Sequence, residues 1–210
     1  MKKTLIAIAL IGTSTSAFAD SPNWDKIQAS YIETDIETPI DEDITMDGYA
    51  VAGSLSLSDS IFVLANFDSV GDESDLGDVD LDSLNAGIGF NHGITESTDV
   101  FATVTYEKLE LVGSVDALGS ESFDESGYGA GVGIRSMITD FFELSVKADY
   151  LDIDDENGIR YDASAFFHLT SNLSLGVGYK LYDLDEIDQD VDTVAATVPV
   201  SYTHLTLPTN

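Results

Sequence analysis

Apolar side chains recur at every second position along most of this chain. Tyr49, Val51, Leu55 and Leu57 share one parity and alternate with small or polar residues. The same holds for Leu84, Ala86, Ile88 and Phe90, for Val100, Ala102, Val104 and Tyr106, and for Tyr128, Ala130, Val132 and Ile134. It recurs in Leu144, Val146, Ala148 and Tyr150, and in Leu173, Leu175, Val177, Tyr179 and Leu181. Successive side chains of a strand point to opposite faces, so a period of two marks a strand with one apolar face. No stretch after residue 20 sustains helical spacing. The pattern predicts ten strands, at 24–33, 47–57, 61–70, 80–92, 99–111, 126–137, 141–151, 160–169, 173–183 and 191–199.

The expected connections alternate in kind. Ser58–Ser60, Gly93–Thr98, Ile138–Asp140 and Thr170–Asn172 read as short turns, and longer acidic segments lie between them. The hairpin unit repeats, starting near Gly48, Leu84, Gly127 and Tyr161. Each strand has about ten residues, and a tilted strand needs about 9–11 to cross the hydrocarbon layer of a membrane. Even strand number, dyad alternation and turns short on one side only describe an all-β, antiparallel up-and-down transmembrane β-barrel. Ten strands is the expectation and eight the alternative. A closed barrel satisfies every backbone N–H and C=O without an edge, as lipid requires. Tyr31, Tyr49, Tyr106, Tyr128, Tyr150 and Tyr161 sit near the long-connection ends of their strands, where an interfacial aromatic girdle belongs. A secreted soluble β-sandwich also alternates, but it requires neither one-sided long connections nor so many Gly and Ser residues on its inward faces.

Both termini read as separate from the barrel at 20–199. Lys2 and Lys3, the apolar run Leu5–Ile11 and the Ala17-Phe18-Ala19 cleavage pattern mark 1–19 as a signal peptide. That makes the expected address the Gram-negative outer membrane, reached through the periplasm. Val200–Asn210, VSYTHLTLPTN, resembles one reading frame of the transposon-end adapter used to prepare sequencing libraries. The resemblance implies a non-native tail at 200–210 replacing the end of the last strand.

Charge narrows the function. The 210 residues hold 39 Asp and Glu against 8 Lys and Arg, for a formal charge of −31. A nucleic-acid binder needs a basic face, so that class is excluded. The absence of Cys removes disulfide scaffolds, thiol nucleophiles and Cys-ligated zinc. Most acids fall in 33–47, 68–82, 107–125, 149–162 and 183–192, opposed there only by Lys108 and Arg160. Such a field reads either as a solvated acidic surface, screened by salt, or as a place for hard divalent cations on carboxylate oxygens, Ca²⁺ or Mg²⁺, with bridging to anionic lipopolysaccharide. The densest candidate is Asp152, Asp154, Asp155 and Glu156. As an EF-hand loop its glycine, Gly158, is one place late, and Asn157-Gly158 reads as a hairpin turn instead.

Parity places Lys26, Glu107, Arg135, Glu143, Lys147, Asp149 and Lys180 on the face opposite the lipid. Buried charges are costly unless paired, so these residues predict a salt-bridged lumen. A thin cation-preferring pore is the competing reading. Enzyme chemistry finds little footing. The proteases and lipid A deacylases of outer membranes need a His near the outer rim, whereas His92 and His168 flank short turns. Gly127, Gly129, Gly131 and Gly133 alternate within a strand, so they make room for lumen neighbours and do not cradle a phosphate.

Signal, hairpin repeats and Gly-alternating strands together resemble the small proteobacterial outer-membrane β-barrel domain family, relatives of the OmpA and OmpX transmembrane domains. The resemblance spans about 24–199 and implies a monomeric barrel in contact with outer-membrane lipid and lipopolysaccharide, without a cofactor. The family usually ends on a terminal aromatic read by the assembly machinery. Here Val194, Ala196 and Val198 begin that alternation and Pro199 closes it. The expected role is non-catalytic, in envelope structure and surface contact. The alternatives are a narrow cation channel and a soluble calcium-binding extracellular β-protein.

Overall fold

The computed structural model describes residues 21–36, 44–74, 77–115, 119–154, 156–184 and 190–201. Ten strands run β1 Lys26–Ile36, β2 Ile44–Ser58, β3 Ile61–Ser74, β4 Gly77–Thr95, β5 Thr98–Val115, β6 Gly119–Thr139, β7 Phe142–Ile153, β8 Glu156–His168, β9 Ser174–Leu184 and β10 Asp190–Ser201. Each pairs antiparallel with its sequence neighbours, and β1 pairs with β10 from Lys26↔Ser201 to Ile36↔Val191, which closes the barrel. The expected ten-stranded count holds over the eight-stranded one. Met1–Asp20 and Tyr202–Asn210 lie outside the described residues, whereas Val200 and Ser201 continue β10.

The barrel is inverted relative to a water-soluble protein. Its exposed belt is apolar: Val51, Ile88, Val104, Val132, Val146 and Val177 all face outward. Its interior holds Asn85, Thr103, Thr105, Glu107, Arg135, Glu143, Asp149 and Arg160, all buried. The six tyrosines expected in the girdle are all exposed. Tyr31 stands opposite Tyr49, and Tyr106 opposite Tyr128, in the register.

The strands are longer than the alternation predicts, mostly at the acidic end; at the other end β4 runs through the expected turn residues Gly93–Thr95, and β6 through Ile138 and Thr139. β4, β5 and β6 contain 19, 18 and 21 residues, well beyond the span a bilayer needs. Much of the sequence expected as long acidic connection is therefore strand projecting past the tyrosines. β3 and β4 stay paired to Ser74↔Gly77, and β5 and β6 to Val115↔Gly119. The physical reason lies in the facing of residues. Above the girdle the acids occupy the solvent face of a ladder, where charge costs little, so the ladder need not end where the acids begin.

The β7–β8 turn corrects a further expectation. Asn157 and Gly158 pair with Asp152 and Leu151 inside the ladder. The reversal instead falls between Ile153 and Glu156, where Asp154 has φ 54°. Asp tolerates this left-handed region better than most residues, which is why it can stand in a tight hairpin.

Candidate functional site: the lumen and outer vestibule

The charged lumen residues separate into a periplasmic group and a middle group. At the periplasmic end the chain before β1 folds into the barrel mouth. Trp24 stacks on Phe62 with centroids 4.2 Å apart and meets Phe101 edge-on at 5.2 Å. Its indole Nε1 donates to Asp99 Oδ2 at 2.7 Å, and its carbonyl accepts from Ser54 Oγ. The Arg135 guanidinium lies 4.5 Å from the Trp24 ring. It donates to the Asn23 carbonyl at 3.2 Å and, through Nε and Nη2, to Glu143 Oε1 at 2.8 and 2.6 Å. Lys26 sits 5.1 Å from the Phe166 ring. Glycines opposite these rings make the space. A β-carbon at Gly89 would strike Phe62, and one at Gly133 would strike Phe101.

His168 belongs to the same layer. Its Nδ1 is 2.8 Å from Ser174 Oγ, and its Nε2 is 3.3 Å from Glu143 Oε2. Serine, histidine and carboxylate thus stand in sequence. Ser174 is nevertheless shut from solvent at 2% exposure, and Glu143 is held by Arg135. A nucleophile needs an approach for the carbonyl it attacks, and this serine has none. The set is a packing relay.

The middle group centres on Arg160, which sequence reasoning counted among the acidic connections. Because β8 begins at Glu156, Arg160 lies well inside the ladder, 4% exposed. Its Nη1 is 3.2 Å from Glu107 Oε2, Nη2 is 3.3 Å from Asp149 Oδ2, and Nε is 3.4 Å from Asp162 Oδ2. Lys147 Nζ reaches Asp149 Oδ1 at 2.8 Å, and Thr105 Oγ1 donates to Glu107 at 2.6 Å. Asp149 is fully buried, yet neither oxygen makes an aligned hydrogen bond. The contacts are ionic in distance without hydrogen-bond geometry, so charge attraction holds this carboxylate. Gly131 faces it, and a β-carbon there would collide with Asp149 Oδ1. Across the lumen Lys180 Nζ donates to Asp68 Oδ2 at 2.8 Å, and Ser83 Oγ donates to the same oxygen at 3.3 Å. Asp68 and Asp162 are further lumen residues that the sequence reading left in the acidic segments. Their parity within β3 and β8 was the signal that would have found them.

Above the tyrosines the facing of apolar residues reverses. Ile32, Met46, Val70 and Leu151 take the parity opposite to the lipid-facing residues of their own strands, and all four are buried. Leu81, Leu109, Tyr182 and Val191 share that switch and line a cavity inside the barrel. The acids take the outer face. Asp82 is opposite Glu110, and Glu110 opposite Asp124, in one row across β4, β5 and β6. Lys108 relieves the row through Glu110 at 3.2 Å. Asp35 similarly stands opposite Asp192. The extramembrane part therefore has a water-soluble barrel's polarity, apolar within and charged without. A one-residue phase slip in the alternation, such as Leu81 followed by Leu84, carries this signal in the sequence.

Asp152, Asp154 and Glu156 lie at the β7–β8 tip, with Asp152 on the exposed face, and Asp155 lies outside the described residues. Among the described residues no group of three or more His, Asp or Glu side chains is placed to hold a metal.

No curated protein sequence matches the chain. Among solved structures, the transport unit of the autotransporter AIDA-I from Escherichia coli is similar at 9% identity, with 93% of each chain covered and a TM-score of 0.51. Ail, the attachment invasion locus protein of Yersinia pestis, is similar at 15% identity, covering 85% of this chain and 97% of that one, with a TM-score of 0.45. Neisserial surface protein A is similar at 11% identity, with coverage of 84% and 96% and a TM-score of 0.48. At these identities the likeness concerns the fold alone. The family model described as "Outer membrane protein beta-barrel domain" matches residues 5–166. With its closed ladder and lipid-facing belt, this chain belongs to that outer-membrane β-barrel family.

Proposed function

We propose that this protein is a non-catalytic outer-membrane barrel with a closed lumen, acting in envelope structure and contact through its acidic outer surface. The observation that carries the reading is the interlocked interior. Trp24 and Arg135 occupy the periplasmic mouth, and Arg160 ties carboxylates from three strands near the level of the tyrosines. Opening a path for ions through these layers would separate buried charges, which is costly. The outward rows of carboxylates are suited to Ca²⁺ or Mg²⁺ bridging toward lipopolysaccharide phosphates, because hard cations prefer several oxygen ligands. The protein acts in this reading as a monomer, since closure leaves no strand edge to pair with a second copy. Planar-bilayer recording tests it. Electrical silence is expected, and a steady cation-selective current would replace this reading with a narrow channel.

A further inference from the structure

Above the membrane the barrel interior contains a cavity of about 190 Å³ lined by Ile32, Val70, Leu81, Leu109, Val191 and Tyr182. Its lining comes from β3, β4 and β5 on one side and β9, β10 and β1 on the other, so it spans the lumen. About 150 Å³ suffices for a benzene ring, so this space is large enough for a small apolar guest. The hydroxyls beside it, Thr34 and Thr193, satisfy each other at 2.9 Å. Asp68 and Lys180 also line it. Asp68 Oδ2 accepts from Lys180 and Ser83, whereas Oδ1 is buried with no hydrogen-bond partner. A buried acceptor left without a donor is costly, and its residue borders the cavity.

The surroundings decide the sign of the guest. Glu33, Asp80, Asp82, Glu110 and Asp183 stand on the outer faces of the same strands. Their summed field concentrates cations at the vestibule and depletes anions. An apolar anion such as a fatty-acid carboxylate would meet repulsion on the way in, and the one ammonium inside, Lys180, is already paired with Asp68 at 2.8 Å.

We propose that this vestibule binds a small hydrophobic cation, a single ring or short alkyl chain ending in an ammonium. The apolar part fills the space between Leu109 and Val191, and the ammonium faces the Asp68 carboxylate. The site is independent of whether the lumen conducts, so it stands apart from the closed-barrel reading.

The test uses the refolded full chain in lipid nanodiscs, titrated calorimetrically with benzylammonium, benzyl alcohol and benzoate at equal ionic strength. Benzylammonium is expected to bind at least tenfold more tightly than benzyl alcohol, with benzoate weaker still. Leu109→Trp and Val191→Trp fill the cavity from opposite walls, and each is expected to abolish binding. Heat-shifted gel mobility identifies which variants are folded, and either one suffices. Asp68→Asn combined with Lys180→Met removes both members of the ion pair. It is expected to bring the ammonium and the alcohol to within threefold of each other. Absence of benzylammonium binding, benzoate binding as tight as benzylammonium, or undiminished binding to a folded cavity-filled variant overturns the proposal.

Discussion

Arg160→Met is the most informative single substitution in the barrel. It removes the cation that contacts Glu107, Asp149 and Asp162 at 3.2, 3.3 and 3.4 Å. Lys147 then remains as the nearest counter-charge, already engaged at 2.8 Å with Asp149. Breaking a buried ion pair by removing one partner costs about 3–5 kcal/mol, because the other charge is left uncompensated. Three carboxylates share this one guanidinium, so the upper half of that range applies, about 4–5 kcal/mol. With an m-value of about 2 kcal/mol/M in urea, the unfolding midpoint should fall by about 2 M. The assay is equilibrium urea unfolding of the barrel in lipid vesicles, followed by Trp24 fluorescence and heat-modifiable mobility. A companion variant, Arg160→Met with Glu107→Gln and Asp162→Asn, leaves only the Lys147–Asp149 pair, which is neutral in sum. It should recover at least half of the loss, the mark of electrostatics over lost packing. A midpoint within 0.5 M of the unsubstituted protein for Arg160→Met, or no recovery in the companion, would refute the account of the lumen as a charge-locked plug.

Further outcomes follow from the same architecture. Val132→Lys places a charge on the lipid face and should cost about 2–4 kcal/mol, whereas Val112→Lys, on the outer face above the tyrosines, should change stability by less than about 0.5 kcal/mol; equal effects in vesicle unfolding would contradict the membrane boundary drawn at Tyr106 and Tyr128. Like charges directly opposite in a ladder are destabilising and are screened over about 3 Å at 1 M salt, against about 10 Å at 0.1 M. Sodium chloride should therefore raise the unfolding midpoint, and Asp82→Asn, which breaks the row with Glu110 and Asp124, should reduce that rise. If calcium acts at concentrations too low to alter ionic strength, specific sites exist on this face. Gly131→Val should prevent heat-shifted mobility, since the added side chain meets the buried Asp149 carboxylate; normal mobility would show that the lumen can yield.

Much of the fold was legible because lipid is an undemanding partner. It asks only that alternate residues be apolar, and Val100, Ala102, Val104 and Tyr106 state this without reference to any other strand. Strand number, closure and the tyrosine level follow from counting such runs. Lys26, Arg135, Glu143, Lys147 and Lys180 could be assigned to the lumen for the same reason. The extramembrane strands were less legible. An acid-rich segment such as 107–125 looks like a connection when charge is taken as the sign of a loop. The ladder continues through it because acids such as Glu110 and Asp124 take its solvent face and Glu107 finds Arg160 in the lumen.

The sequence by itself determined the faces of the membrane barrel, since side-chain alternation is a local property of extended backbone. It also contained the reversal of those faces above the tyrosines, in phase slips such as Leu81 to Leu84. Only the tertiary structure decided which charges meet. Arg160 lies 53 residues from Glu107 along the chain, and their contact depends on the register of four strands and on how the barrel curls. Asp68 with Lys180, and Trp24 with Arg135, are likewise neighbours across the lumen rather than along a strand. Closure converts a row of separate parities into one interior, and pairing across that interior is set by geometry that no single strand specifies.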